Sequence, residues 1–112
     1  MSFSLGKDQR IRRFSEYQGI YKTGVKLVGR YLVLFYCFAG ERPTRVGLTV
    51  SSKVGNAVER NRAKRRIREA LRVTLSESDP KAEIVLVAMR RINKADFGDI
   101  CQDLRSLLVR LK

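Results

Sequence analysis

The sequence predicts a small α/β sandwich in a single domain, residues 1–112. Three observations point there. A short aromatic stretch with helical spacing opens the chain. Three runs rich in β-branched and aromatic residues follow at 30–38, 45–51 and 83–89. A long amphipathic segment lies between the second and third of these runs. The 112 residues suffice for one modest core. A hydrophobic content of 44% is too high for a disordered chain. No repeat, low-complexity segment or linker divides the chain, and Pro43 and Pro80 both sit in polar connections.

Residues 14–23, "FSEYQGIYKT", place Phe14, Tyr17, Ile20 and Tyr21 at spacings of three and four, one face of a short helix. Gly24 is its stop, and Gly19 weakens it by about 1 kcal/mol relative to Ala. The segment 25–29 can supply a short strand. Residues 30–38, "RYLVLFYCF", read as a strand with Tyr31, Val33, Phe35 and Cys37 on one face and Leu32, Leu34, Tyr36 and Phe38 on the other. Both faces are apolar, so both are covered or one is a functional surface. "GERPT" is a turn, and "RVGLTVS" (45–51) is a further strand.

Then comes "VGNAVERNRAKRRIREALR". Asn56 is an N-cap, and Glu59 completes a capping-box pair. At 100° per residue, Ala63, Ile67, Ala70, Leu71 and Thr74 share one face. Arg62, Arg65, Arg68 and Arg72 lie opposite with Asn61, and Lys64 and Arg66 flank the apolar stripe. Residues 76–81 form a loop, and "EIVLVAM" (83–89) is a buried strand. It should lie parallel to 45–51, through a crossover that is right-handed in nearly all proteins. The last segment sets Phe97, Ile100, Cys101, Leu104, Leu107, Leu108 and Leu111 at helical spacing as a packing helix.

Charge narrows the function. Lys and Arg number 24 against 11 Asp and Glu, a net of +13, which argues for a polyanionic partner. There is no histidine, hence no commonest acid/base and no commonest zinc ligand. Cys37 and Cys101 lie far apart, outside any paired-ligand spacing. They read as two buried thiols in a reducing cytosol, with one disulfide as the alternative. The N-terminus lacks the apolar region of a secretory signal, and the run 31–39 is too short to span a bilayer, so the expectation is a soluble cytoplasmic protein. Asp96, Asp99 and Asp103 could form a magnesium site, but acids near a helix N-terminus also complement its dipole, the favoured reading. "KVGNAV" lacks the frame of a P-loop.

The basic helix carries the clearest signal. Seven of the thirteen residues from Arg60 to Arg72 are Lys or Arg, against Glu69 alone. Arginine suits bidentate phosphate contacts, which favours nucleic acid over a merely solvated face. A membrane-surface helix would need Trp or Phe on its apolar face. Tyr17, Tyr21 and Phe35, with Tyr31 as a further candidate, could stack unpaired bases. On the residues alone, ordinary core packing has the edge for these rings. Arg10, Arg12, Arg13 and Lys53 could neutralise a nucleic-acid backbone beside them, or be scattered surface charge.

The run "RVGLTVSSKVGNAVERNRAKRRIREALR" resembles the signature of the bacterial ribonuclease P protein component family. The core of that signature stands here as Arg60-Asn61-Arg62, Lys64-Arg65 and Arg68-Glu69. The short first helix ending in Gly, the "YLVLF" strand and "EIVLVAM" fall in the family's order, so the resemblance covers nearly the whole chain. One departure is Ser52, where many relatives carry a basic residue, which leaves one backbone contact open.

The resemblance implies an α-β-β-β-α-β-α sandwich, ribosomal-protein domain-2-like, with an unusual left-handed βαβ crossover in place of the right-handed default. It implies a protein subunit of an RNA-catalysed endoribonuclease that removes the 5′ leader of precursor tRNA. The partners would be the catalytic RNA and precursor tRNA, with no membrane and no obligate protein partner. Magnesium would be held mainly by RNA, with no cofactor and no catalytic residue in the protein. By position, Arg60, Asn61, Arg62, Lys64, Arg65 and Arg68 would face the catalytic RNA, with Lys53 just before the helix. Tyr17, Tyr21 and Phe35 would line a leader cleft between the first helix and the sheet. The alternative is a ribosomal or ribosome-assembly RNA binder without a role in cleavage. A third class is a protein nuclease working through Asp96–Asp103.

Overall fold

The computed structural model describes residues 10–11, 14–38, 40–41, 43–77 and 80–111. Alternating apolar runs form four strands: β1 (Val25–Val28), β2 (Leu32–Phe38), β3 (Arg45–Thr49) and β4 (Ala82–Ala88). The helix-periodic segments form α1 (Phe14–Thr23), α2 (Ala57–Glu77) and α3 (Phe97–Leu108). The sheet order is β1-β2-β4-β3, with β1–β2 and β2–β4 antiparallel and β3–β4 parallel, as expected. Ile11 extends the sheet beyond β3 by donating its N–H to the Val46 carbonyl (2.9 Å).

The two faces of the sheet are filled differently. Leu32, Leu34, Ile84 and Leu86 meet Ile67 and Leu71 of α2 and Ile100, Leu104 and Leu107 of α3, and this is the main core. Each such side chain contributes roughly 1.5–3 kcal/mol on burial. On the opposite face α1 crosses only part of the sheet, where Ile20 and Ile11 close over Val85 with Tyr17, Phe35, Cys37 and Val87 around them.

The β3–α2–β4 crossover is left-handed, and the right-handed default fails here. Val46 points its side chain into the core beneath α2, while its carbonyl faces Ile11. Seen from the α2 side with β3 running upward, an L-residue facing the viewer sends its carbonyl to the right. Ile11 therefore lies on the right, β4 on the left, and the chain crosses leftward in front of the sheet. The slot between β2 and β3 could be filled with either hand. A right-handed path would put α2 on the face that α1 covers, and its apolar stripe would lose the main core.

Several local details depart from the sequence pattern. α2 runs on to Glu77, beyond the start expected for the loop. Before α3 the chain makes a 3₁₀ turn at Arg90–Lys94 that no periodicity announced. Phe97, in the first turn of α3, is 40% exposed and does not join the packing face of that helix. Tyr31 precedes β2 and packs towards the main core beneath Arg30, away from the other aromatic residues. Cys37 is half-buried under α1 and Cys101 is buried in the main core, so both thiols are free and on opposite faces. Phe14's side chain, Arg12 and Arg13 lie outside the described residues.

Candidate nucleic-acid interface

α2 begins as its sequence requires. The Asn56 side chain accepts the Glu59 N–H (2.9 Å), and Glu59 accepts the Asn56 N–H (3.1 Å). Ala63, Ile67, Ala70, Leu71, Thr74 and Leu75 are buried, which fixes the rotation of the helix. Asn61, Arg62, Arg65 and Arg68 consequently point outward, while Arg60 and Lys64 are partly covered at the flanks. Among the described residues, none of Arg60, Arg62, Lys64, Arg65 and Arg68 forms an ion pair. Val58, Asn61, Lys64, Arg65 and Arg68 line a shallow groove along the helix.

Two cations of the same helix are occupied. Arg72 pairs with Glu69, which raises the arginine's pKa and lowers the carboxylate's through their shared hydrogen bonds. Arg66 turns inward and donates to the Ala95 carbonyl, tying α2 to the start of α3. The ridge available to a partner is thus narrower than the count of cations suggests.

Lys53 is exposed in the connection from β3 to α2. That connection is pinned by the 3₁₀ turn: Arg90 donates to the Lys53 carbonyl (3.3 Å) and Asn93 to the Val54 carbonyl (2.6 Å). Arg90, itself exposed, is a cation beside Lys53 that the sequence reading passed over, and the basic run "MRRINK" was the signal for it.

The aromatic residues do come together. The ring centroids of Tyr17 and Tyr21 are 6.4 Å apart, and Tyr21 meets Phe35 edge-on at 4.8 Å. The Tyr21 hydroxyl lies 3.1 Å from that of Thr49, so the side chain bridges from β2 towards β3. The Leu48 N–H donates to the Tyr17 hydroxyl (3.1 Å), on the outer edge of β3. Register places Val28, Val33, Val87 and Thr49 in one row on this face, beside Tyr21 and Phe35. Val33, Val87 and Thr49 are only half-buried, so α1 leaves an apolar cleft floor next to the rings. Tyr21 is 38% exposed at its wall. A cavity of about 180 Å³ at the β3 edge has Tyr17 on one side and Arg68 on the other, with Arg10 at the rim. The cationic ridge and the aromatic cleft therefore meet across β3.

The acidic residues do something else. Asp96 and Asp99 cap α3 reciprocally, at 2.8 and 3.1 Å. Buried Asp103 accepts the N–H groups of Arg30, Tyr31 and Leu32 at 2.8, 2.9 and 3.1 Å. Glu16 and Glu83 both accept from Arg45, which ties α1, β3 and β4 together and raises the arginine's pKa, chiefly through Glu16.

A family model described as Ribonuclease P matches residues 5–112. The chain belongs to the ribonuclease P protein family. The ribonuclease P protein component of Clostridium botulinum (strain Langeland) is 38% identical over 103 residues, covering 91% of this chain and 93% of that protein. The component from Clostridioides difficile is 35% identical over 101 residues, covering 89% of each. Among solved structures, the Staphylococcus aureus RNase P protein superposes with a TM-score of 0.80 at 34% identity, covering 92% of this chain and 94% of that one. The Thermotoga maritima RNase P protein gives 0.82 at 28% identity, covering 92% and 97%. The two solved structures are bacterial ribonuclease P proteins of the same fold. The chain is accordingly a protein subunit of ribonuclease P, whose RNA is its partner and whose work is tRNA processing. The ribosomal alternative finds no support among them.

Proposed function

We propose that the two surfaces divide the work of this ribonuclease P subunit. Arg60, Asn61, Arg62, Lys64, Arg65 and Arg68, with Lys53, dock into the catalytic RNA. Tyr17, Tyr21 and Phe35 border the cleft that receives the single-stranded 5′ leader of precursor tRNA. The observation that carries this reading is the junction at β3: an α2 ridge without ion-pair partners among the described residues on one side and an aromatic cleft on the other, held in fixed register by one strand. Arginine forks suit the phosphates of a folded RNA, and exposed rings suit unpaired bases.

The protein supplies position and charge, and the RNA supplies the chemistry. Asp96, Asp99 and Asp103 do not fit a magnesium site, since each already accepts backbone N–H groups, and this supports leaving the metal ions to the RNA. No cofactor and no obligate protein partner belong to this reading. Among the described residues no helix is long and apolar enough to cross a membrane, and the proposed location is the cytoplasm.

The test is cleavage of precursor tRNA by a bacterial ribonuclease P RNA at low magnesium, with the protein, without it, and with the protein alone. Strong stimulation, and no cutting by the protein alone, is the expected result. Cutting by the protein alone that Asp99→Ala abolishes would restore the nuclease reading.

A further inference from the structure

We propose that Lys26 holds a leader phosphate at the far side of the aromatic cleft, one step beyond the bases stacked on Tyr21 and Phe35. This rests on the cleft reading above and names a contact that neither the basic helix nor the aromatic set includes.

Lys26 stands directly opposite Phe35 in the β1–β2 pair, so both side chains leave the sheet on the α1 face. Its ammonium lies 5.9 Å from the centre of the Phe35 ring. The residue is exposed, and among the described residues no carboxylate pairs with it. β1 is the edge of the sheet, and among the described residues no further strand covers this side.

The order of the strands supplies the direction. α2 and Lys53 adjoin β3 at one edge, Tyr21 and Phe35 occupy the middle, and β1 forms the other edge. A strand of RNA leaving the α2 side crosses the sheet over three strand spacings, about 14 Å, which spans a few stretched nucleotides. It leaves over β1, where Lys26 waits. A base lying on Phe35 carries its phosphate at the rim of the ring. A compact ammonium on a flexible stem suits a phosphate whose position varies with leader sequence. The bland alternative is that Lys26 only steadies the Phe35 ring through its cation–π contact.

Salt dependence separates the two. Holoenzyme reconstituted with ribonuclease P RNA is assayed for binding precursor tRNA across potassium chloride concentrations, with Lys26→Gln, Lys26→Arg and the parent protein. Each is tested with a long leader and with one cut back to a single nucleotide. For the long leader, Lys26→Gln should weaken binding several-fold and reduce the log–log salt slope by about 0.7, the share of one single-strand phosphate. Lys26→Arg should keep the slope, and the short leader should bind all three alike. Weaker long-leader binding at an unchanged slope would assign Lys26 to steadying Phe35 and overturn the proposal. Equal losses with both leaders, or no loss while the parent still prefers the long leader, would overturn it as well. If the parent itself does not distinguish the leaders, the cleft reading falls, and this proposal with it.

Discussion

The hydroxyl end of Tyr17 lies against Gly47, so close that a β-carbon at Gly47 would sit 2.7 Å from Cε1, Cζ and the hydroxyl oxygen. The missing side chain lets Tyr17 reach past the sheet edge and accept the Leu48 N–H at 3.1 Å. One glycine in β3 thus positions one wall of the cleft. Tyr17 is therefore both a wall of the cleft and a structural fastener. Gly47→Ala should displace the ring and cost roughly 1–3 kcal/mol of stability by overpacking, read by chemical denaturation, and should weaken leader binding beyond the loss of fold. Tyr17→Phe keeps the ring and should cost about 1 kcal/mol for the lost hydrogen bond, with leader affinity nearly intact.

Phe35 and Tyr21 are held differently from Tyr17: they meet edge-on, and Tyr21 reaches β3 through the Thr49 hydroxyl. Phe35→Ala should lose roughly 1–3 kcal/mol of leader affinity if bases stack there. Melting must stay close to that of the parent protein for the result to count. A folded variant with full leader affinity would remove Phe35 from the cleft.

Neighbouring arginines on α2 should behave oppositely. Arg65 is exposed and, among the described residues, without an ion-pair partner, so Arg65→Gln should weaken binding to the catalytic RNA and flatten its salt dependence by about one unit of slope, with melting unchanged. Arg66 holds the Ala95 carbonyl, so Arg66→Gln should lower stability by about 1–3 kcal/mol and leave the salt slope in place. Binding isotherms beside thermal melts would separate the two.

Asp103 anchors the β1–β2 turn to α3. Asp103→Ala would strand three N–H groups that the carboxylate now accepts. A loss of at least 3 kcal/mol is expected, since charged hydrogen bonds contribute about 1.5–3 kcal/mol each. Gly29 approaches the same carboxylate, with a hypothetical β-carbon 2.7 Å from it, so Gly29→Ala should also destabilise. Urea denaturation reads both. Neither should alter RNA affinity per folded molecule.

The pH dependence has a definite direction. The Arg105 guanidinium hydrogen-bonds Glu77 at 2.8 Å and holds that carboxyl below its ordinary value of 4.5. A depressed carboxylate contributes stability above the unfolded value and loses it as pH falls through the folded one. Melting temperature should therefore decline below about pH 4.5, and Glu77→Gln should make that decline slightly shallower. The pair is exposed, so the difference is small.

Much of this was legible in the chain because it depends on neighbours in sequence. The periodicities of 2 and 3.6 marked every main strand and helix. The Asn56–Glu59 pair marked the start of α2, and its apolar stripe decided which arginines face outward. The Arg60–Glu69 signature was enough to point to the family. The 3₁₀ turn at Arg90–Lys94 was not legible, because it is too short to show a period.

What only the tertiary structure decided depends on residues far apart in the chain. Handedness depended on which face of the sheet was left for α2 once α1 lay on the other. Local pattern says nothing of that choice, and the general preference pointed the wrong way. The carboxylates at 96, 99 and 103 looked alike in sequence, yet two cap a helix and one holds a turn some seventy residues away. Arg66 and Arg65 are adjacent and chemically identical, and only the position of Ala95 makes one a tether and leaves the other on the exposed cationic ridge. Gly47 and Lys26 gained their meaning from the partners that strand register set beside them, Tyr17 and Phe35. Sequence spacing determines which way a side chain leaves its own element. What it meets there is determined by the packing of elements, and the aromatic cleft of this protein is made of such meetings.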